Sequence, residues 1–210
     1  MPPPQSDGSD VAKILPSDWR ALEATGAAQR ELETLATLER ELDDEYTVIH
    51  GVHWTRLEHG FSVIGEIDFV VLNRAGRVLL IEQKSGFLKE GEEGLVKTYG
   101  TGEKSVAVQM GRARENLLRR LGPLTPELPS LEQLLYCPDY RVKNVGTAGI
   151  PPERLVDASR RDELAARIRA ILPPETPRPE LARKLRAFFS DQIQLVPDVG
   201  RLLDRAEQEV

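Results

Sequence analysis

The sequence predicts a mixed α/β domain: a central mixed β-sheet flanked by helices, with extra helices towards the C-terminal end. Three observations lead there. Two apolar strands joined by a tight turn fill Gly65 to Gly86, GEIDFVVLNRAGRVLLIEQKSG. Amphipathic helices bracket them on both sides, and another strand follows the second helix. The order helix, strand, strand, strand, helix, strand does not repeat as regular βαβ units, so the sheet is expected to be mixed.

At 210 residues the chain can bury one sizeable core, or one domain with an appendage. Its 40% apolar and 30% charged residues are those of an ordinary globular protein. No run approaches the ~18 apolar residues of a membrane helix, and MPPPQSDGSD does not read as a signal peptide. The single cysteine, Cys137, excludes an internal disulfide framework and a cysteine-based zinc site. It fits a reducing compartment, with the cytoplasm as default. A net charge of −6 argues against nucleic-acid binding by bulk electrostatics, yet leaves room for a nuclease, because metal ions bring positive charge to an acidic site.

Residues 1–18 are expected to form a disordered or loosely ordered tail, 19–172 the main domain, and 173–210 a linker with C-terminal helices. Pro16-Ser17-Asp18 suits the cap of a short turn carrying Trp19 and Leu22. From Ala27 to Asp43, Leu32, Leu35, Leu38 and Leu42 fall at helical spacing, and Glu31 extends that inward stripe, or is one more exposed glutamate. Tyr46 to His50 begins a strand. His50 and His53 form an H-x-x-H, but residues three apart point to opposite faces of a strand, so the pair reads as edge or loop histidines rather than a zinc site. Phe87 to Lys104 is expected to be a loop or short strand over the site. Ser105 caps a helix to Leu121, ended by Gly122-Pro123. Along its flank run Gln109, Arg112, Asn116, Arg119 and Arg120. The arginines, with Lys97 and Lys104, are candidates for a local phosphate-binding patch, or simply a solvated helix face. Leu131 to Tyr136 is a strand leading to Tyr140-Arg141-Val142, which suits a further strand and its exit. Arg154-Leu155-Val156 is strand-like, Asp162 to Leu172 helical, and PPETPRPE a stiff connection before helical stretches at Leu181–Phe189 and Val199–Glu209. That last pattern reaches Val210 without a cap, as expected of a chain that continues in a longer protein or of a frayed natural terminus.

The hairpin carries the chemistry. Alternation places Ile67, Phe69 and Val71 on one face of the first strand and Asp68, Val70 and Leu72 on the other. In the second strand Val78, Leu80, Glu82 and Lys84 share a face, opposite Leu79, Ile81 and Gln83. A three-residue loop, Arg74-Ala75-Gly76, pairs Asn73 with Arg77, and counting back sets Asp68 across from Glu82 on a common face. Two carboxylates and a lysine among so many aliphatics suggest a divalent-metal site. Hard oxygen ligands suit Mg²⁺ or Mn²⁺, and a metal beside a lysine suits hydrolysis of a phosphodiester. A structural ion pair involving Glu82 and Lys84 is the alternative.

Asp68, thirteen residues, then Glu82-Gln83-Lys84 resembles the D…(D/E)xK signature of the PD-(D/E)xK nuclease superfamily, whose fold is restriction-endonuclease-like. GAAQRELETLATLERELDDEYTVIHGV, GEIDFVVLNRAGRVLLIEQKSG and VAVQMGRARENLLRRL together resemble the nuclease-related domain (NERD) family over about Gly26 to Leu121. The resemblance implies a Mg²⁺- or Mn²⁺-dependent deoxyribonuclease serving DNA repair or processing. It makes Asp68 and Glu82 metal ligands, Lys84 the catalytic lysine, Glu31 an acidic residue at the edge of the metal site, and Gln109 a residue that positions the lysine or substrate. The first helix reads QRE where the family commonly has GE. Family members often adjoin other modules, including superfamily 1 helicase domains. No Walker A motif occurs in this sequence, so a helicase is expected only beyond Val210. A catalytically silent nucleic-acid- or protein-binding regulatory module is the alternative function.

Overall fold

The computed structural model describes residues 11–22, 24–58, 61–92, 94–100, 102–124 and 130–191. Its centre is a six-stranded sheet built from β1 (Lys13–Leu15), β2 (Tyr46–Glu58), β3 (Phe61–Asn73), β4 (Val78–Gln83), β8 (Leu131–Cys137) and β9 (Leu155–Asp157), in that spatial order. The long β2, β3 and β4 form an antiparallel meander, whereas β1 joins β2, β8 joins β4 and β9 joins β8 in parallel. The sheet is therefore mixed, as the irregular element order requires. The central strand β4 reads VLLIEQ and is buried at every position. A near-continuous aliphatic run is what a strand covered on both faces needs.

Among the described residues four α-helices make the covering layers: α1 (Gly26–Glu41), α2 (Val106–Leu121), α3 (Leu164–Ile171) and α4 (Pro179–Asp191). Leu35 and Leu38 of α1 with Leu164 and Ile168 of α3 pack on the face carrying Phe69, Val71, Leu79 and Ile81. Leu117 and Leu121 of α2 with Leu185 and Phe189 of α4 cover Val70, Leu72, Val78 and Leu80. Burying each such leucine or phenylalanine favours the fold by about 1.5–3 kcal/mol. Ser105 caps α2 as expected, its Oγ accepting from the Val108 amide at 3.4 Å.

The hairpin turn forms as read. Gly76 takes φ +77°, its amide donates to Asn73 O, and the Asn73 amide donates to Arg77 O. A Cβ on Gly76 would also lie 2.8 Å from the Leu181 side chain, so beyond the strain of the positive φ a larger residue would have to push that leucine of α4 aside.

Several expectations change. Lys13–Leu15, assigned to the loose tail, is edge strand β1, and Ala12 and Ile14 are buried. The linker region is not a separate appendage over its described length: Arg178 N donates to Arg74 O, and α4 lies on the sheet. The tail from Met1 to Asp10 and the helical stretch Val199–Glu209 lie outside the described residues. Phe87 to Lys104 is a second sheet, an antiparallel meander of β5 (Lys89–Gly91), β6 (Gly94–Tyr99) and β7 (Gly102–Ser105), anchored by the buried Leu88 and Leu95. Tyr140 to Val142 forms no strand. It is a loop laid beside β9, with Ala158 N donating to Tyr140 O and Val142 N to Asp157 Oδ2.

Ile67 also departs from strict alternation. It packs with Val52 and Val70, in the cluster opposite Phe69. The cause lies across the ladder. Pairing runs through His50↔Phe69 and Val52↔Ile67 but skips Gly51 and Asp68, where Gly51 adopts φ +65°. The alternation breaks at the very pair that contains Asp68.

Candidate active site

The β3–β4 ladder stops at Phe69↔Ile81, while β4 stays paired with β8 as far as Gln83↔Tyr136. Lys84 N then donates to Tyr136 O at 2.9 Å. The two strands part at Asp68 and Glu82. There the Asp68 side chain replaces the lost backbone partner, its Oδ2 accepting from the Gln83 amide at 2.6 Å. This splay leaves Asp68, Glu82 and Lys84 at one end of the hairpin, where the register predicted them.

Glu82 and Lys84 are each 6% exposed, and Lys84 Nζ donates to Glu82 Oε1 at 2.6 Å. From α2, Gln109 Nε2 donates to the same oxygen at 2.9 Å. Burial, then the charges of Glu82 and Glu31, push the Asp68 carboxyl well above its ordinary range, with Lys84 opposing. Burial also raises Glu82, and Lys84 offsets this only in part. Two neighbouring carboxyls inclined to hold protons are under-compensated, and a hard cation between them would restore their charge. Gln109 Oε1 adds a buried acceptor without a hydrogen-bond partner. The donor set at Asp68 and Glu82 therefore suits Mg²⁺ or Mn²⁺.

Glu31 stands near enough for its charge to act on both Asp68 and Glu82, yet its carboxylate has another partner. Its Oε2 lies 2.8 Å from His50 Nε2, and the His50 ring packs 5.4 Å from Phe69. The imidazole takes the carboxylate that the family resemblance assigned to the metal. Among the described residues no group of three or more histidine, cysteine, aspartate or glutamate side chains is placed to hold a metal ion. His50 is thus neither a zinc ligand nor an idle edge histidine, and His53 faces a different partner, Glu66, at 3.5 Å.

The basic candidates divide. Lys97 reaches the site's margin but is committed to backbone, donating to Ser85 O at 2.6 Å and Phe87 O at 3.2 Å. Burial, then the charge of Lys84, lowers its pKa. Lys104 is its exposed cross-strand partner on β7. Arg112 lies exposed on α2. Arg119 and Arg120 occupy the last turn of that helix, about 15 Å along the axis from Gln109. Arg119 Nη2 donates to Asn116 Oδ1, and basic groups there complement the helix C-terminus. The five are divided between α2 and the β6–β7 hairpin.

Two residues escaped the sequence reading. Gln83 sits between the charged pair on the opposite face, and its Oε1 accepts from Thr34 Oγ1 of α1 at 2.7 Å. This buried bond locks α1 to the strand end that carries Glu82 and Lys84. The polar Thr34, three residues after Glu31 on the same inward stripe, was the available signal.

A mixed sheet covered by helices on both faces, with an aspartate and a Glu-x-Lys where two central strands part, defines a nuclease-like core. The chain belongs to the nuclease-related domain (NERD) family, whose model matches residues 26–138, more than half of its length. The match spans α1, the hairpin, the small sheet, α2 and β8, and does not extend to a helicase. No curated protein and no solved structure matched the chain. No helix among the described residues is long and apolar enough to cross a membrane.

Proposed function

We propose that the chain is a Mg²⁺- or Mn²⁺-dependent nuclease that hydrolyses phosphodiester bonds of DNA in repair or processing. The observation that carries this is the convergence of Asp68 with the buried Glu82 and Lys84 where β3 and β4 separate. Asp68 and Glu82 would hold the ion, with Glu31 available at the margin if it leaves His50. The ion would supply water activation and neutralise charge on the phosphate. Lys84 would exchange Glu82 for the substrate, its ammonium orienting water or countering charge that develops on the phosphoryl oxygens. Gln109, released from Glu82 or retained, would hold that lysine or the substrate in register. DNA as substrate and repair as context follow from the family resemblance.

The test is cleavage of single- and double-stranded DNA with Mn²⁺ or Mg²⁺, against Lys84→Ala and Glu82→Ala, each checked for folding by circular dichroism. Both variants are expected to lose at least about 100-fold in rate. Equal cleavage by all three proteins would sink the reading. The ion pair between Lys84 and Glu82 favours a second one, a silent module that binds nucleic acid or a partner, alone or beside a helicase. Metal-independent DNA binding without cleavage would support that instead.

A further inference from the structure

We propose that Phe87 is a stacking platform for an unpaired nucleobase next to the scissile phosphodiester, an inference that rests on the nuclease reading above. Phe87 is 73% exposed, the highest value among the large apolar side chains of the described residues. A ring this exposed offers its π-surface to whatever flat group comes beside it. Its place in the chain says which. It lies three residues after Lys84, so its Cα stands within about 11 Å of the lysine's. That reach covers about three base steps of a nucleic-acid strand.

The ring is also held still. Gly86 takes φ +73°, turning the chain outward just before it, and the Gly86 amide donates to Asp139 Oδ2 at 3.1 Å. Arg30 Nη2 in turn pairs with Asp139 at 3.2 Å. Lys97 Nζ ties down the carbonyls on both sides, Ser85 O and Phe87 O. Tyr140 packs T-shaped against the ring, centroids 5.4 Å apart at 84°. The Tyr140 hydroxyl is itself held by Glu90 Oε1 at 2.8 Å, and Glu90 also accepts from the Lys143 and Asn144 amides. A rigid aromatic platform binds a flat partner at low entropic cost. Beside a site for phosphodiesters, the flat partner is a base, and stacking asks that the base be unpaired.

The probe is a fluorescein-labelled oligothymidylate, with a blunt duplex for comparison, both bound in EDTA so that no strand is cut. Phe87→Ala and Phe87→Leu are expected to weaken single-strand binding at least about fivefold, the loss of one base–aromatic stack, while Phe87→Trp stays within about twofold. Duplex binding should change less than about twofold. A 2-aminopurine placed in the strand should be quenched by wild type and Phe87→Trp, and not by the other two. Equal losses on both probes, unchanged binding by Phe87→Ala, or no single-strand binding by wild type would overturn the proposal. Cleavage that depends on Lys84 but not on Phe87, with unchanged quenching, sinks the stacking alone. Lys84-independent cleavage sinks the nuclease reading and leaves the quenching as its own result.

Discussion

Asp157, at the end of β9, and the Asp68–Glu82 pair, where β3 leaves β4, are carboxylates withdrawn from water at nearby strand ends, yet their surroundings push them in opposite directions. Asp157 is 4% exposed and is met by donors: Val142 N at 2.9 Å, Ser159 N at 3.0 Å and Ser159 Oγ at 2.6 Å. Burial alone would raise its pKa. The Ser159 hydroxyl and the two amides outweigh that and hold it below the ordinary range. At Asp68 and Glu82 burial wins, because the neighbours include like charges and the compensating ammonium of Lys84 is shared. The difference separates a carboxylate that serves the fold from a pair kept short of partners. Carboxyls perturbed in this direction mark a candidate functional site, and under the proposed reading a cation would complete this one.

The comparison can be broken from either side. The largest stability effect is expected at Asp157. Asp157→Ala removes acceptors from a buried amide and should cost about 2–3 kcal/mol in urea unfolding, without loss of DNA cleavage. Its folded pKa lies below the unfolded one, so its contribution is present above the ordinary aspartate range and is lost as pH falls through the lowered value. Asp157→Asn should accordingly flatten the acid side of the stability profile. An unchanged acid limb would contradict the assignment.

At Asp68 the sign reverses. A carboxyl with a raised folded pKa favours the fold below its unfolded pKa and loses that contribution as pH rises through the raised value. Asp68→Asn keeps an acceptor for Gln83 N but removes the repulsion with Glu82 and Glu31. It is expected to raise stability at pH 7 by about 0.5–2 kcal/mol while abolishing cleavage. Thermal melts with and without Mn²⁺ check it, since the ion should stabilise wild type more than the variant. A destabilised Asp68→Asn at pH 7 would place Asp68 with Asp157 as a structural group. The smallest effect belongs to the bond behind the site. Thr34→Val, which strips the hydroxyl from Gln83 Oε1, should cost about 0.5–1.5 kcal/mol and slow cleavage modestly, read from denaturation and rate together.

What could be read from the sequence is local and periodic. Period-two alternation and the three-residue loop ending at Gly76 set the register of Asp68 against Glu82, because turn length and pleat leave one pairing. Helical spacing in α1 and α2 likewise marked which side chains turn inward. The inward position of Glu31 was visible, but its capture by His50 was not, since that depends on how α1 packs over β2. Nor did period-two alternation place Ile67, which packs on the face opposite Phe69 beyond the Gly51–Asp68 pair.

By itself, then, the sequence determined the family, the mixed sheet, the hairpin register and the three charges it brings together, all consequences of short-range geometry repeated along the chain. Tertiary structure alone decided which partners those charges keep. It tied Glu31 to His50, spent Lys97 on the carbonyls around Phe87, and joined Gln83 to Thr34. Those contacts link residues far apart in sequence, and hydrogen-bond partners so separated are set by how layers pack, which no local pattern encodes.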